Sequence, residues 1–117
     1  MPCRVLLVDD HVGFRRVARL MLESGGFRVV AEADSCRSAL AAAVRVRPDA
    51  VLLDVLLPDG DGSQVASLLA AEVPGVIVVL TSSRSRAELG DRHMSDGVRG
   101  FVPKSELTAE GFAAFVR

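Results

Sequence analysis

Apolar residues along the chain fall into five short runs, at positions 5–8, 29–31, 50–53, 76–80 and 98–102, the last broken by Arg99 and Gly100. They are rich in Val, Leu and Ile, and most are apolar at consecutive rather than alternate positions. Successive side chains of a strand point to opposite faces, so a consecutive run marks a strand covered on both sides, as in a parallel sheet. The segments between the runs carry helical spacing instead. Phe14, Val17, Ala18 and Met21 follow i, i+3, i+4, i+7, and Leu40, Ala43, Val44 and Val65, Leu68, Leu69 repeat the start of that pattern. Turn residues agree with these limits. Gly25-Gly26 stops the first helix, Asp34 or Ser35 caps the second, Pro48 ends it, and Pro74-Gly75 closes the third. Lys104-Ser105 leads into a last helix carrying Phe112, Phe115 and Val116. The weakest helical signal lies at 84–97, which contains Gly90 and has a thin apolar stripe suited to a marginally stable, movable element.

Five strand–helix units with short connections predict an α/β fold. Right-handed crossovers give a doubly wound five-stranded parallel sheet with helices on both faces. The whole of 1–117 reads as one domain, with no linker, low-complexity stretch or repeat beyond the strand–helix unit. Half of the residues are hydrophobic and a quarter charged, which is globular composition. The formal net charge of −1 offers no electrostatic case for binding nucleic acid directly, and the absence of Trp and Tyr removes the usual base-stacking platforms. Cys3 and Cys36 form neither a C-x-x-C pair nor a zinc spacing and read as two inert thiols. The apolar run before Asp9 is too short for a signal peptide, and no run approaches a membrane span. A soluble, cytoplasmic chain with no membrane partner is expected.

In open α/β sheets, sites form beyond the C-terminal ends of the strands. The first predicted strand ends in Asp9-Asp10, the third in Asp54, the fourth in Thr81-Ser82, and the fifth near Lys104. In a 2-1-3-4-5 strand order the first and third strands are neighbours, and the three carboxylates converge. Their repulsion calls for a raised pKa or a bound cation. An all-oxygen site with few protein ligands suits Mg2+. A lysine and a hydroxyl beside such an ion suit a phosphoryl group, and an ionised Asp54 could itself attack phosphorus to form an acyl phosphate.

Four segments carry a family resemblance: Leu6-Leu7-Val8-Asp9-Asp10-His11; the run from Asp54 through Pro58 to Gly62; Val78-Val79-Leu80-Thr81-Ser82; and Gly100-Phe101-Val102-Pro103-Lys104. In this order and spacing the chain resembles the receiver domain of bacterial two-component response regulators, over nearly its whole length. The resemblance implies a flavodoxin-like sheet of order 2-1-3-4-5. It implies Asp54 as phosphoacceptor, Asp10 as a direct Mg2+ ligand, Asp9 as an acid holding the metal mainly through water, and the backbone carbonyl of Leu56 as a further ligand. Lys104 would pair with the phosphoryl group and Thr81 would be the switch hydroxyl that moves towards it. Phe101 would be the aromatic side chain that follows, with Pro58 and Gly62 shaping the loop over the site. It further implies a sensor histidine kinase as phosphodonor, a conformational switch with a homodimer or a released output domain as readout, and catalysis of nothing beyond the chain's own phosphorylation and dephosphorylation.

The stretch Arg99-Gly100-Phe101-Val102-Pro103-Lys104-Ser105-Glu106-Leu107 resembles the subfamily with a LuxR-type helix-turn-helix output. No such domain lies within these residues, so either an output domain was trimmed or the receiver stands alone; trimming is expected, and DNA would be reached only through that domain. Leu56 stands where fast-hydrolysing members often carry a polar residue, and Ser83 is small. A long-lived phosphoryl group is therefore expected.

Each residue also has a plainer reading. Asp10 could merely cap the first helix, Lys104 could be a solvated lysine, Phe101 a core residue, and Ser82 could take the place of Thr81. His11 reads as a surface histidine beside the acids, His93 as exposed, and Arg84, Arg86, Arg92 and Arg99 as a solvated face. Two other functions compete. A phosphatase of the haloacid-dehalogenase class needs a second acid two residues after its nucleophile, where Leu56 stands. A receiver-like interaction module would work unphosphorylated. A dinucleotide-binding domain is disfavoured, because acids occupy Asp9-Asp10 where phosphate-cradling glycines belong.

Overall fold

Five parallel strands form one sheet in which the second, first, third, fourth and fifth lie side by side in that order, as the resemblance implies. The computed structural model describes residues 2–90 and 97–116. The strands are β1 (Arg4–Val8), β2 (Arg28–Ala33), β3 (Ala50–Asp54), β4 (Ile77–Ser82) and β5 (Val98–Pro103). The helices are α1 (Val12–Ser24), α2 (Cys36–Val46), α3 (Gly62–Glu72), α4 (Arg86–Leu89) and α5 (Ala109–Val116). A small hairpin, Leu56–Leu57 against Gly60–Asp61, separates β3 from α3, and a 3-10 turn, Lys104–Glu106, precedes α5.

The consecutive apolar runs are explained by two cores, one on each face of the sheet. Leu6, Val8, Val51, Leu53, Val78 and Leu80 pack under α2 and α3 against Ala39, Ala43, Ala66 and Leu69. The alternate positions Val5, Leu7, Ala50, Leu52 and Val79 pack under α1 and α5 against Ala18, Leu22 and Phe112. Each central strand thus buries both of its faces.

The helical stripes are placed less well by sequence. Val17, Val44 and Leu68 are 65%, 49% and 52% exposed, although the spacing assigned them to the core. The buried positions are Ala18 and Leu22 in α1, Ala39, Ala42 and Ala43 in α2, and Val65, Ala66 and Leu69 in α3. Small alanines let a helix sit close to the sheet, so the contact centres on them and turns the larger neighbour outward. Ser35 caps α2 in a reciprocal pair with Ser38, and α2 ends in a left-handed Arg47 (φ 47°) immediately before Pro48. Gly26, at φ 92°, turns the chain out of α1. Within 84–97, α4 spans four residues and is anchored by the buried Leu89. Residues 91–96 of that weak segment, Arg92 and His93 among them, lie outside the described residues, as does the Arg86 side chain. Among the described residues, no helix is long and apolar enough to cross a membrane.

Candidate functional site

The strand register brings four chain segments to one edge of the sheet. Val8 pairs with Leu53, Asp54 with Thr81, and Ser82 with Pro103, so Asp9, Asp10, Asp54, Thr81 and Lys104 all lie at C-terminal strand ends. Asp9 is fully buried and Asp54 is 3% exposed. The Lys104 Nζ lies 2.6 Å from Asp9 Oδ2 and 3.2 Å from Asp54 Oδ2. Its contact with Asp54 is a hydrogen bond, and that with the buried Asp9 Oδ2 is the shorter of the two ion pairs. The other oxygen of Asp9 accepts the His11 backbone N–H at 2.8 Å, and Asp54 Oδ1 accepts the Leu56 N–H at 3.1 Å.

Burial sets the electrostatics. It pushes the Asp54 carboxyl up to about 6; the Lys104 charge opposes that rise and the Asp9 charge adds to it. Burial acts on Asp9 in the same sense, but Lys104 and the His11 amide outweigh it and hold Asp9 below the ordinary carboxylate range. Lys104 is held above its usual value because Asp9 and Asp54 together outweigh the desolvation of its ammonium. The site thus contains one firmly ionised acid, one acid whose ionisation is costly, and one cation between them.

Donor atoms of Asp9, Asp10, His11 and Asp54 lie within 4.8 Å of one another. Three of the four are carboxylates, two of these are buried, and Asp54 carries a charge that burial disfavours. These features fit a hard divalent cation of the Mg2+ kind, which takes oxygen ligands and keeps several waters. The helix-capping alternative for Asp10 is not what the structure shows. The N-cap of α1 is His11, and its side chain makes no capping bond. The His11 side chain is 69% exposed, with Nδ1 3.0 Å from Asp9 Oδ1 and 3.2 Å from Asp10 Oδ1.

Thr81 is buried, and its hydroxyl donates to the Val102 carbonyl at 2.7 Å, so it is engaged with β5. Ser82 is engaged elsewhere, its Oγ accepting the Arg84 N–H at 3.1 Å. Phe101 is 3% exposed and packs in the core beneath α2 and α3. The Leu56 side chain is 37% exposed. Arg84 and Arg99 are exposed. Cys3 and Cys36 are not joined in a disulfide; burial, reinforced by Asp59, pushes the Cys36 thiol up to about 11, which suits an inert group.

Sequence reasoning missed three contributors. Phe14, read only as core, lies under the Lys104 ammonium at 4.3 Å from ring centroid to Nζ. Asp59 accepts the backbone N–H groups of Cys36 (2.7 Å) and Arg37 (3.1 Å), tying the loop after Asp54 to the start of α2. Arg15 reaches the Asp9 carbonyl at 2.6 Å. Nothing local signals Asp59, because its partners come from another strand–helix unit; Arg15 is aimed at the Asp9 carbonyl by Glu32, which also comes from another unit.

The model of the response regulator receiver domain matches residues 5–115. A transcriptional regulator of Pseudomonas aeruginosa is 36% identical over 107 residues, which cover 92% of this chain and 52% of the relative. The chain therefore spans about half the length of that relative. The signal receiver domain of the response regulator NarL from Mycobacterium tuberculosis superposes with a TM-score of 0.82 at 31% identity, covering 97% of this chain and 96% of that one. A LuxR-family two-component response regulator from Aurantimonas superposes with a TM-score of 0.86 at 27% identity, covering 97% and 82%. Sheet order, the acidic edge and these likenesses agree, and the chain belongs to the response regulator receiver domain family.

Proposed function

We propose that this receiver domain is a phosphoacceptor switch in a two-component pathway, taking a phosphoryl group from the phosphohistidine of a sensor histidine kinase onto Asp54. The observation that carries the reading is Asp54 itself, a buried carboxylate beside the Lys104 ammonium at 3.2 Å, clustered with Asp9 and Asp10. A carboxylate oxygen of Asp54 attacks phosphorus in line. The new O–P bond forms as the P–N bond breaks, and the imidazole leaves with the electron pair. Mg2+, held by Asp9, Asp10, Asp54 and the Leu56 backbone carbonyl, would neutralise charge on the phosphoryl oxygens. Lys104 pairs with the same oxygens. Thr81 exchanges its Val102 acceptor for a phosphoryl oxygen, Phe101 follows, and the face of α4, β5 and α5 changes shape. The phosphoryl group shifts a balance between two existing states. The readout is a homodimer or a freed output domain controlling transcription, with DNA contacted only through that domain. The setting is the cytoplasm, and the chain acts only on its own phosphorylation state.

Intact mass after incubation with acetyl phosphate tests this. One added phosphoryl group is expected with Mg2+ and none without. No gain under either condition would move the reading to a phosphorylation-independent interaction module.

The lifetime of the acyl phosphate follows from Leu56, which is partly exposed beside Asp54 and offers no side-chain polar atom to an attacking water. Leu56→Asn is expected to speed hydrolysis. One aligned hydrogen bond of about 1 kcal/mol corresponds to roughly fivefold in rate. The decay of the phosphorylated mass with time measures it, and an unchanged decay would remove Leu56 as the cause of persistence.

A further inference from the structure

Asp9 is gripped from both sides of its backbone. Its N–H donates to the Ala33 carbonyl of β2 at 3.0 Å, and its carbonyl accepts from Arg15 Nη1 of α1 at 2.6 Å. The Arg15 guanidinium is itself aimed by Glu32 of β2, whose Oε1 accepts from Nε at 2.9 Å. The Arg15 side chain is 16% exposed and that of Glu32 28%, so the bridge lies at the surface with its arginine end the better covered. The second oxygen of Glu32 pairs with Arg19 at 2.6 Å, and Arg19 has no contact with Asp9 among the described residues. Glu32, Arg15 and the Asp9 carbonyl thus form a strut across the turn that carries both Asp9 and Asp10.

We infer that Arg15 is a positioning residue, acting through the Asp9 backbone to hold the Asp9-Asp10 turn in the geometry that binds a divalent cation. The inference rests on the phosphoacceptor reading of the site. Its physical basis is the stiffness of a planar guanidinium, which serves two acceptors through fixed, separate N–H groups. Partners that orient ligands without touching the metal commonly change metal affinity by about 10- to 100-fold. The sign of the effect separates this role from simple charge. Arg15 is a cation near an acidic pocket, so by Coulomb's law alone its removal would tighten binding of another cation. A positioning role demands the opposite.

The experiment is a Mg2+ titration of the whole chain, followed by NMR amide shifts, together with urea unfolding of each variant. Arg15→Gln is expected to weaken Mg2+ binding by about tenfold. Arg15→Lys keeps the charge but cannot span both acceptors, and is expected to weaken it as well. Arg19→Gln takes one arginine from Glu32 without touching the Asp9 carbonyl, and is expected to stay within about twofold. Should Arg15→Gln fail to fold, Arg15→Lys alone decides, since any loss at constant charge is geometric. Unchanged or tighter binding in the Arg15 variants overturns the inference. So does an equal loss in Arg19→Gln, which would assign the effect to the ion-pair cluster as a whole. A wild-type chain that binds no Mg2+ and takes up no phosphoryl group would instead overturn the reading of the site.

Discussion

Asp54→Asn is expected to abolish phosphoryl uptake while making the Mg2+-free domain more stable. The first effect is chemical. A carboxamide has no anionic oxygen to attack phosphorus, so the mass gain with acetyl phosphate and Mg2+ should fall below detection, a drop of about 1000-fold or more if Asp54 is the nucleophile. The second effect follows from burial. The Asp54 carboxyl stands at about 6 in the folded chain against 3.8 for the free group. A raised folded pKa means that, between those values, the native state holds a proton that the unfolded state has lost. Stability contributed by this group is therefore fully present below about pH 4 and declines as pH rises towards 6. At neutral pH the ionised carboxylate costs on the order of 3 kcal/mol. Asparagine removes that charge; the attraction of Lys104 is already contained in the shift, and solvent screening at the partly open site leaves a net gain of about 1–2 kcal/mol. For a domain of this size that raises the melting temperature by roughly 4–10 °C. Melting in EDTA at pH 7.5 and at pH 4 measures it, with the gain present at the first pH and largely gone at the second. A variant less stable than wild type at both would show that the burial cost does not reside in Asp54.

Gly62→Ala should be severely destabilising. Gly62 opens α3, and its N–H donates to the Val55 carbonyl at 2.6 Å. A Cβ there would stand 2.1 Å from the Asp54 carbonyl oxygen and 3.2 Å from Val55 Cα. Both neighbours are backbone, so no flexible side chain can yield, and the strain falls on the peptide that carries Asp54. Overpacking of this kind costs about 3 kcal/mol or more where the surroundings are rigid. Gly13→Ala is the matching control. It sits in exposed α1 with nothing within 4 Å of the added carbon, and it should stabilise by up to about 1 kcal/mol through helix propensity. Urea unfolding of both variants gives the comparison, and a Gly62→Ala midpoint close to wild type would show that the loop yields freely. A folded Gly62→Ala chain is also expected to be phosphorylated slowly, because Asp54 cannot move independently of its own carbonyl.

The two cases show which parts of the site local patterning carries. Asp54 stands out in sequence because it ends a fully apolar strand, and a carboxylate at that point must lie at a sheet edge. Asp9 and Asp10 stand out for the same reason, whereas Lys104 follows a run broken by Arg99 and Gly100 and gains weight only from the Phe101-Val102-Pro103 before it. Gly62 was legible only as a loop residue; its close approach to the Asp54 carbonyl belongs to the folded turn. Thr81 was legible as a residue, but the acceptor of its hydroxyl was not, since Val102 becomes its neighbour only through the β4–β5 register.

Local patterning in the chain was enough to read the five strands, the burial of the central ones on both faces, and the placing of acids, hydroxyl and lysine at strand ends. Consecutive apolar residues and charged strand ends are local signals, and the right-handed crossover rule converts them into a topology. The tertiary structure decided the rest. It chose which side of each helix faces the sheet, because adjacent helical positions differ by only 100° and close-packing alanines settle the choice. It also decided which distant partners complete the site: Phe14 under Lys104, Asp59 on the start of α2, and Arg15 between Glu32 and the Asp9 carbonyl. Apart from Arg15 on the Asp9 carbonyl, which lie in one unit, these contacts join residues from separate strand–helix units, and their distances exist only once the units have packed in register.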